Sequence, residues 1–573
     1  MLKENLSNII NRIFISIKTK DKDLVEVLYI LLLYKTCKKY SEIKSLIKNI
    51  LLFNFSKNKE KNKQQKLKIN TLNYLNKWSN NSTSSNSQSV LVDCMWDNAN
   101  FWLRYSFLRK ALKLDRYKEY ALFNEYSIKS SKVIVNSFNF QSLGSPLTDS
   151  GPGINHIQKA YSLMRNIKNN SDFLRIKLPY GFPISNLYDD ILKKQLRATV
   201  NIKDKRIVYY LAELLYFLDE INDFFEKYRF KIVVLSHGMG FLYASIAWLA
   251  LKRKIPVYIL YGDFSTKRFI FLEDQSDLFS YPSRVTNLEI KSLPKRYRES
   301  LTQKGYELIR DRFSGKARDI STNFAYKRSF KNINKKSICS FYKWDINKPL
   351  IIIYSSVWFD FPHGCGIRYF DDFFDWINQT LKIASKNKNV NWLIKPHPLE
   401  DYFPSMKGTN LKSLIKSFKS DHLKLINKKW SSTQLIKSVD GIITCHGTIG
   451  LEAGILGVPV LVPYSGYYGH LDFVNCSKNQ EDYFKKINSN WYEKKPDQGS
   501  KDLAALFSAI YYGRPKWQKY LYSQDDYQDK IYSDIQNMFI KELGTVENEI
   551  KNLKKWITSK HKYYQIYKML NDF

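Results

Sequence analysis

No apolar run in this sequence is long enough to cross a bilayer. The two longest are Leu24–Leu33, broken by Glu26, and Phe241–Leu251, against the roughly 20 residues a membrane helix needs. The N-terminus does not read as a secretory leader. Met1–Ile17 carries Glu4, Asn8, Asn11 and Arg12, and no small-residue cleavage site follows. These absences place the expected location in the cytoplasm. Cysteine is scarce: six residues (37, 94, 339, 365, 445 and 476), none in a C-x-x-C pair. That scatter supports neither a zinc site nor a disulfide framework. Acidic residues are outnumbered, 54 against 91 Lys and Arg, for a formal charge of +37. The excess is diffuse and accompanies no nucleic-acid module, so nucleic acid is not the expected partner. Residues 1–90 hold 17 Lys and Arg against 6 Asp and Glu, a net +11. A basic face of that kind suits phosphorylated substrates and anionic headgroups, and it suggests peripheral contact at the inner face of the cytoplasmic membrane. No repeat of 20–50 residues is visible.

What the chain does have is length and apolar content. Its 573 residues, 44% hydrophobic and 15% aromatic, can bury more than one core. Residues 1–53 carry helical periodicity at Leu24, Val27, Leu28, Leu31 and Leu32, and residues 54–90 read as a low-complexity linker. Together 1–89 form an expected basic helical extension. From Val90 the pattern becomes α/β. Lys132–Asn136 is a β-branched run and Arg206–Tyr228 a long helix. Lys231–Leu235, Phe241–Lys254 and Pro256–Leu260 then follow as strand, helix and strand. A second series opens at Pro349–Tyr354 and continues through helix Asp371–Ser385, strand Asn391–Lys395 and strand Leu423–Ile426. After helix Ser432–Lys437 come strand Gly441–Thr444, helix Gly447–Leu456 and strand Pro459–Val462. The prediction is an α/β, GT-B-like chain of two Rossmann-like, doubly wound domains facing a cleft. Residues 90–345 form the acceptor-side domain and 346–500 the nucleotide-sugar domain, with a helical extension over 501–573.

Four strand ends carry the candidate chemistry. In Asp440–Val462 a strand turns through His446-Gly447-Thr448 into a helix, and a helix N-terminus attracts anions. Gly447 and Gly450 leave the backbone open, and Glu452, one turn in, could accept from ribose hydroxyls. In Trp392–Pro398 a strand delivers Lys395 and His397 between two prolines that fix the backbone. In Ser236–Gly240, His237 could be a general base or a packed residue beside a capping Ser236. In Ser355–Gly366, Asp360 and His363 could reach a transferring group. Five of the eight histidines (237, 363, 397, 446 and 470) fall at or near these strand ends. The alternative at Asp440–Val462 is a plain βαβ crossover with glycines for packing, and at Trp392–Pro398 a surface turn with a satisfied histidine.

At these residues the chain resembles the capsule polysaccharide biosynthesis family, which includes the capsular Kdo transferases. The resemblance rests on Lys395-Pro-His-Pro398, His446-Gly-Thr-Ile-Gly-Leu-Glu-Ala453, Gly466-Tyr-Tyr468 and Ser236-His237. It is weaker over Gly181–Asp190, and it covers about half the chain. It implies a GT-B fold and sugar transfer from a nucleotide-activated donor without an essential metal. His397, Thr448 and Glu452 would be donor-site residues. Where the Kdo transferases tend to carry Ser-Ser or Ser-Thr, this chain has His446-Gly447-Thr448, which leaves the donor sugar open.

The reading is thus a glycosyltransferase of bacterial surface polysaccharide, acting on a glycan or lipid-linked glycan acceptor. No cofactor or metal is expected, since no Asp-x-Asp motif stands where a Mg²⁺-bridged donor would need it. His237, Asp360 and His363 are the catalytic candidates. Lys395, His397, His446, Gly447, Thr448, Gly450 and Glu452 are the donor-binding candidates. A CDP-polyol-dependent polyol-phosphate transferase, a sugar-nucleotide epimerase and a non-catalytic capsule-assembly partner are the alternatives.

Overall fold

The computed structural model describes residues 55–80, 88–96, 98–123, 128–260, 267–279, 285–316, 326, 333–398, 400, 410–427, 429–513 and 531–571. The amphipathic pattern expected over residues 1–53 lies outside them. The chain divides into two compact units. Unit 1 comprises residues 1–187, 202–278 and 516–564, and unit 2 comprises 188–201, 279–515 and 565–573.

Unit 1 is built on a six-stranded sheet of β1 (Ser89–Asp93), β2 (Lys118–Leu122), β3 (Gln141–Ser142), β4 (Phe230–Leu235), β5 (Val257–Ile259) and β6 (Ile270–Leu272). Their spatial order is β3-β2-β1-β4-β5-β6, parallel except for the β5–β6 pair. Unit 2 holds β7 (Leu350–Tyr354), β8 (Asn391–Lys395), β9 (Leu423–Leu425), β10 (Gly441–Thr444), β11 (Val460–Val462) and β12 (Asn475–Cys476). Their order is β12-β11-β10-β7-β8-β9, all parallel. Counted from its own first strand, each sheet runs 3-2-1-4-5-6, the doubly wound order of dinucleotide-binding folds. Two Rossmann-like domains, the components of a GT-B-type chain, are therefore present. The central strands show why. All five residues of Leu350-Ile-Ile-Ile-Tyr354 are buried, as are five of six in Phe230-Lys-Ile-Val-Val-Leu235. A strand covered by helices on both faces reads as an unbroken apolar run.

The structure corrects three readings and assigns a fourth segment, the run Lys132–Asn136, to a helix. Residues 54–90 are not simply a linker, because Phe55–Ser79 is a 25-residue helix. Leu72 and Leu75 are fully buried, and the Trp78 ring lies 5.0 Å from Phe107 and 4.7 Å from Phe539. Arg109, paired with Glu119 at 2.7 Å, donates to Asn76 Oδ1 and Ser79 Oγ and ties the helix to the sheet. The β-branched run Lys132–Asn136 lies inside the helix Ile128–Phe138, where Ile134, Ser137 and Phe138 are buried at helical spacing. Residues 279–345, expected with the first domain, belong to unit 2. There the helix Lys295–Phe313 packs on Gln498–Tyr512 so closely that a Cβ on Gly305 would meet the Ala505 carbonyl at 1.8 Å. The expected extension 501–573 is likewise divided. The helices Ile531–Lys541 and Leu543–Ser559 belong to unit 1, and residues up to 515 to unit 2. Among the described residues no helix is long and apolar enough to cross a membrane.

Candidate functional site

In a doubly wound sheet, the strand order reverses at one point, and the loops leaving the strands there splay apart to open a crevice. In unit 2 that point lies between β7 and β10. A small open pocket of about 100 Å³ occurs there, lined by Arg312, Tyr326, Tyr354, Ser355, Lys395, His397, Pro398, Ser432, Thr444, Gly447, Thr448, Ile449 and Glu452.

Ser355, which follows β7, locks two of the loops together. Its N–H donates to the Lys395 carbonyl at 3.0 Å, and its Oγ accepts from the His397 N–H at 3.0 Å. The flanking Pro396 and Pro398 restrict the backbone between these anchors. After β10, Thr444 Oγ1 accepts from the Gly447 N–H at 3.2 Å, and Tyr468 Oη donates to the Gly447 carbonyl at 2.8 Å. The turn has no room for larger residues. A Cβ at Gly447 would approach Thr444 Oγ1 to 2.8 Å, and one at Gly450 would lie 2.2 Å from Tyr468 Oη. Both glycines therefore serve close packing in this turn. The helix that follows is short, Ile449–Ile455, and the Gly450 N–H already donates to the Gly447 carbonyl.

The charges of the pocket come from three side chains. Arg312 and Glu452, both 3% exposed, pair at 3.2 Å. Tyr326 Oη also donates to Glu452, and the Arg312 guanidinium lies 4.2 Å from the Tyr512 ring centroid. Glu452 is thus held by protein partners on the pocket wall. Lys395 is different. Among the described residues its ammonium has no hydrogen-bonding acceptor, and burial lowers its pKa to about 8 despite the nearby Glu452. Tyr354 Oη, on the same wall, is buried without a partner. His397 is pushed down to about 4 by burial and by Lys395, so it is a neutral imidazole at physiological pH. With Arg312 and Glu452 balanced, Lys395 leaves the pocket one positive charge in excess.

The structure thus brings Lys395, His397, Gly447, Thr448 and Glu452 to one pocket wall. His446 and Gly450 are not on it. The His446 ring packs 5.0 Å from Phe373, its Nδ1 lies 3.4 Å from Tyr464 Oη, and burial together with His397 lowers its pKa to about 4. His470 is tied to the Val285 carbonyl at 2.6 Å. Asp360 and His363 sit in the loop after β7. His363 Nδ1 lies 2.7 Å from Asp189 Oδ1, and the His363 and Gly364 N–H groups donate to Asp189 Oδ2 at 3.0 and 3.1 Å. Burial disfavours the imidazolium, but Asp189 outweighs it and the His363 pKa is raised.

His237 lies at the corresponding reversal point of unit 1, between β1 and β4. Ser236 Oγ is 3.0 Å from His237 Nδ1 and donates to Asp93 Oδ1 at 3.1 Å, and the Ser236 N–H donates to Asp93 Oδ2. Burial raises the Asp93 pKa to about 7, against the opposing Ser236 bonds. Trp96 and Tyr243 flank the imidazole at 4.6 and 5.0 Å.

Sequence reasoning missed Arg312, Tyr326, Tyr354 and Asp189. Arg312 lies in a charged helix without a motif, and Tyr326 in an irregular stretch. Asp189 had one signal, its place at the end of the weakly similar segment Gly181–Asp190. Among the described residues no group of His, Cys, Asp or Glu converges to hold a metal ion.

No family model matches the chain, and no curated protein matches it in sequence. Several solved structures are similar. The beta Kdo 2,4 transferase KpsC of Thermosulfurimonas dismutans is 14% identical, with 49% of this chain and 79% of that one covered, at a TM-score of 0.31. UDP-GlcNAc 2-epimerase from Neisseria meningitidis, bound to UDP-GlcNAc, is 11% identical over 80% of this chain and 100% of that one, at 0.21. The wall teichoic acid polymerase TagF, soaked with CDPG, is 9% identical over 87% and 99%, at 0.22. At TM-scores this low, the strand order of the two sheets remains the basis for the fold.

Proposed function

We propose that the chain is a glycosyltransferase that uses a nucleotide-activated sugar and builds a surface polysaccharide of the capsular or lipopolysaccharide type. The observation that carries this reading is Lys395, a partly buried ammonium without an acceptor, in the pocket where a doubly wound sheet binds nucleotides. An ammonium held this way has given up part of its hydration without a replacement, and a phosphate supplies both charge and acceptors. Lys395 would meet the donor phosphates, with Thr448 and the partnerless Tyr354 Oη as neutral donors. Glu452, oriented by Arg312 and Tyr326, would accept from the ribose. The motifs Lys395–Pro398 and His446–Ala453 support the surface-polysaccharide assignment through their family resemblance.

In the reaction, an acceptor hydroxyl oxygen attacks the anomeric carbon. The bond from that carbon to the nucleotide phosphate oxygen breaks, and the phosphate keeps the electron pair. The acceptor proton passes to a base. Fixed positive charge at the leaving phosphate stabilises the transition state more than the ground state.

Calorimetry of nucleotide binding tests the site. Lys395→Met should weaken nucleoside diphosphate binding by roughly 10- to 100-fold, the loss expected for a charge-assisted contact. Wild-type affinity should fall as pH rises through about 8, where free Lys395 loses its proton. The variant should lack that pH dependence. Equal affinity and equal pH dependence in both proteins would remove the phosphate site from this pocket.

A further inference from the structure

The loop after β7 is mounted on a helix from far upstream in the chain. The helix Ser185–Gln195 belongs to unit 2 from Tyr188 onward. Asp189 and Lys193, one turn apart, share a face. Asp189 binds the His363 imidazole and the N–H groups of His363 and Gly364. The Lys193 ammonium lies 3.9 Å from the centroid of Phe361, a residue at φ 49°. Tyr188 adds its ring, 5.4 Å from the imidazole, and donates to Asp372 at 2.5 Å. One short helix thus fixes the loop by its charge, its backbone bonds and its ring contacts.

Asp189 is 2% exposed and its carboxylate is saturated, with one oxygen on the imidazole and the other on two backbone N–H groups. A carboxylate at Nδ1 fixes the ring's orientation and favours a proton there, so Nε2 points away from Asp189. Among the described residues Nε2 of His363 has no hydrogen-bond partner, and the ring is 15% exposed. The loop leaves the pocket wall at Ser355. Cys365 interacts electrostatically with Cys445, the residue after the pocket-lining Thr444.

We propose that Asp189 is the positioning residue for His363, and that the imidazolium it holds gives its Nε2 proton to the departing nucleotide phosphate. The proposal rests on the glycosyl-transfer reading. As the bond between anomeric carbon and phosphate oxygen breaks, the electron pair stays on the phosphate, and the Nε2 proton moves onto it. His363 is left neutral and regains a proton from solvent before the next turnover. The groups that act on this imidazole are Asp189 and Tyr188 from the helix and Asp371 and Asp372 from the start of the next helix, while Lys193, Asp360 and Cys365 lie around Asp189 and Phe361. The carboxylates outnumber the one cation, and Asp189 in contact with the ring raises its pKa against the opposing effect of burial.

Asp189→Asn tests the pair in the full-length protein. The amide keeps one oxygen for the backbone N–H groups but turns an N–H donor toward Nδ1. NMR titration of the His363 ring should give a pKa above the usual 6.5 in wild type and a lower one in the variant. With turnover as the readout, the alkaline limb of the kcat profile should move to lower pH, and kcat near pH 8 should fall by roughly tenfold or more. Nucleotide affinity should stay within about twofold of wild type. Combined with His363→Gln, Asp189→Asn should add no further loss, since the two residues act as one unit. An unmoved limb, multiplying losses or a wild-type ring pKa below 6.5 would overturn the proposal. Were wild type to turn over no donor, the transfer reading would fall with this catalytic role, while the ring titration would still decide whether Asp189 holds an imidazolium.

Discussion

The residues of the pocket divide by what the sequence could reveal about them. Lys395, His397 and Thr448 were legible because a basic or hydroxylic group at a strand end is placed by the topology alone. The Glu452–Arg312 pair was not, because the partners lie 140 positions apart and only the packed helix Lys295–Phe313 unites them. Gly450 was legible as a special position but not for its reason, which is the Tyr468 hydroxyl beside it. The two low-pKa histidines have a consequence of their own. His397 and His446 both titrate near 4 in the folded protein, against about 6.5 in an unfolded chain. Depressed values mean that the unfolded chain binds more protons between those limits. The stability these two rings contribute is therefore complete above about pH 6.5 and is lost as pH falls toward about 4. Urea unfolding of wild type and His446→Gln, compared at pH 7 and at about 4, should show wild type losing more stability than the variant. An equal change in both would contradict the burial assigned to His446.

At the scale of elements, the central strands were legible and the helices less so. A strand covered on both faces must be apolar at every position, and β7, β8 and β10 matched their expected spans to within one residue. Helix ends drifted further: the expected Gly447–Leu456 is observed as Ile449–Ile455, because the Gly447–Thr448 turn belongs to the packing around Thr444 and Tyr468. The helix Phe55–Ser79 was hidden by composition. Lys63, Gln65, Lys66, Asn70 and Asn73 are exposed, while Leu72 and Leu75, one turn apart, are buried. This helix is part of the unit 1 core. Leu72→Ala should then cost about 2–5 kcal/mol, as removal of a buried leucine does, readable as a lowered thermal midpoint. An unchanged midpoint would return the segment to the role of a linker.

At the scale of the whole molecule, the doubling of the Rossmann-like pattern was legible, but the composition of the two units was not. Residues 279–345 and the last 70 are shared out by long-range packing, as at Gly305 against Ala505 and Trp78 against Phe539. No local pattern encodes such contacts. Each unit places a histidine and a buried carboxylate near its sheet's reversal point: His237 with Asp93 through Ser236, and His363 with Asp189. The central claim, transfer from a nucleotide-activated sugar, is tested most directly by nucleotide release. The full-length protein would be incubated with a panel of nucleotide sugars, with and without glycan acceptors, in the presence of EDTA. The account predicts release from at least one donor that depends on acceptor and persists with the chelator. A sugar-nucleotide product formed without acceptor, transfer of a polyol phosphate, or no release from any donor would contradict it.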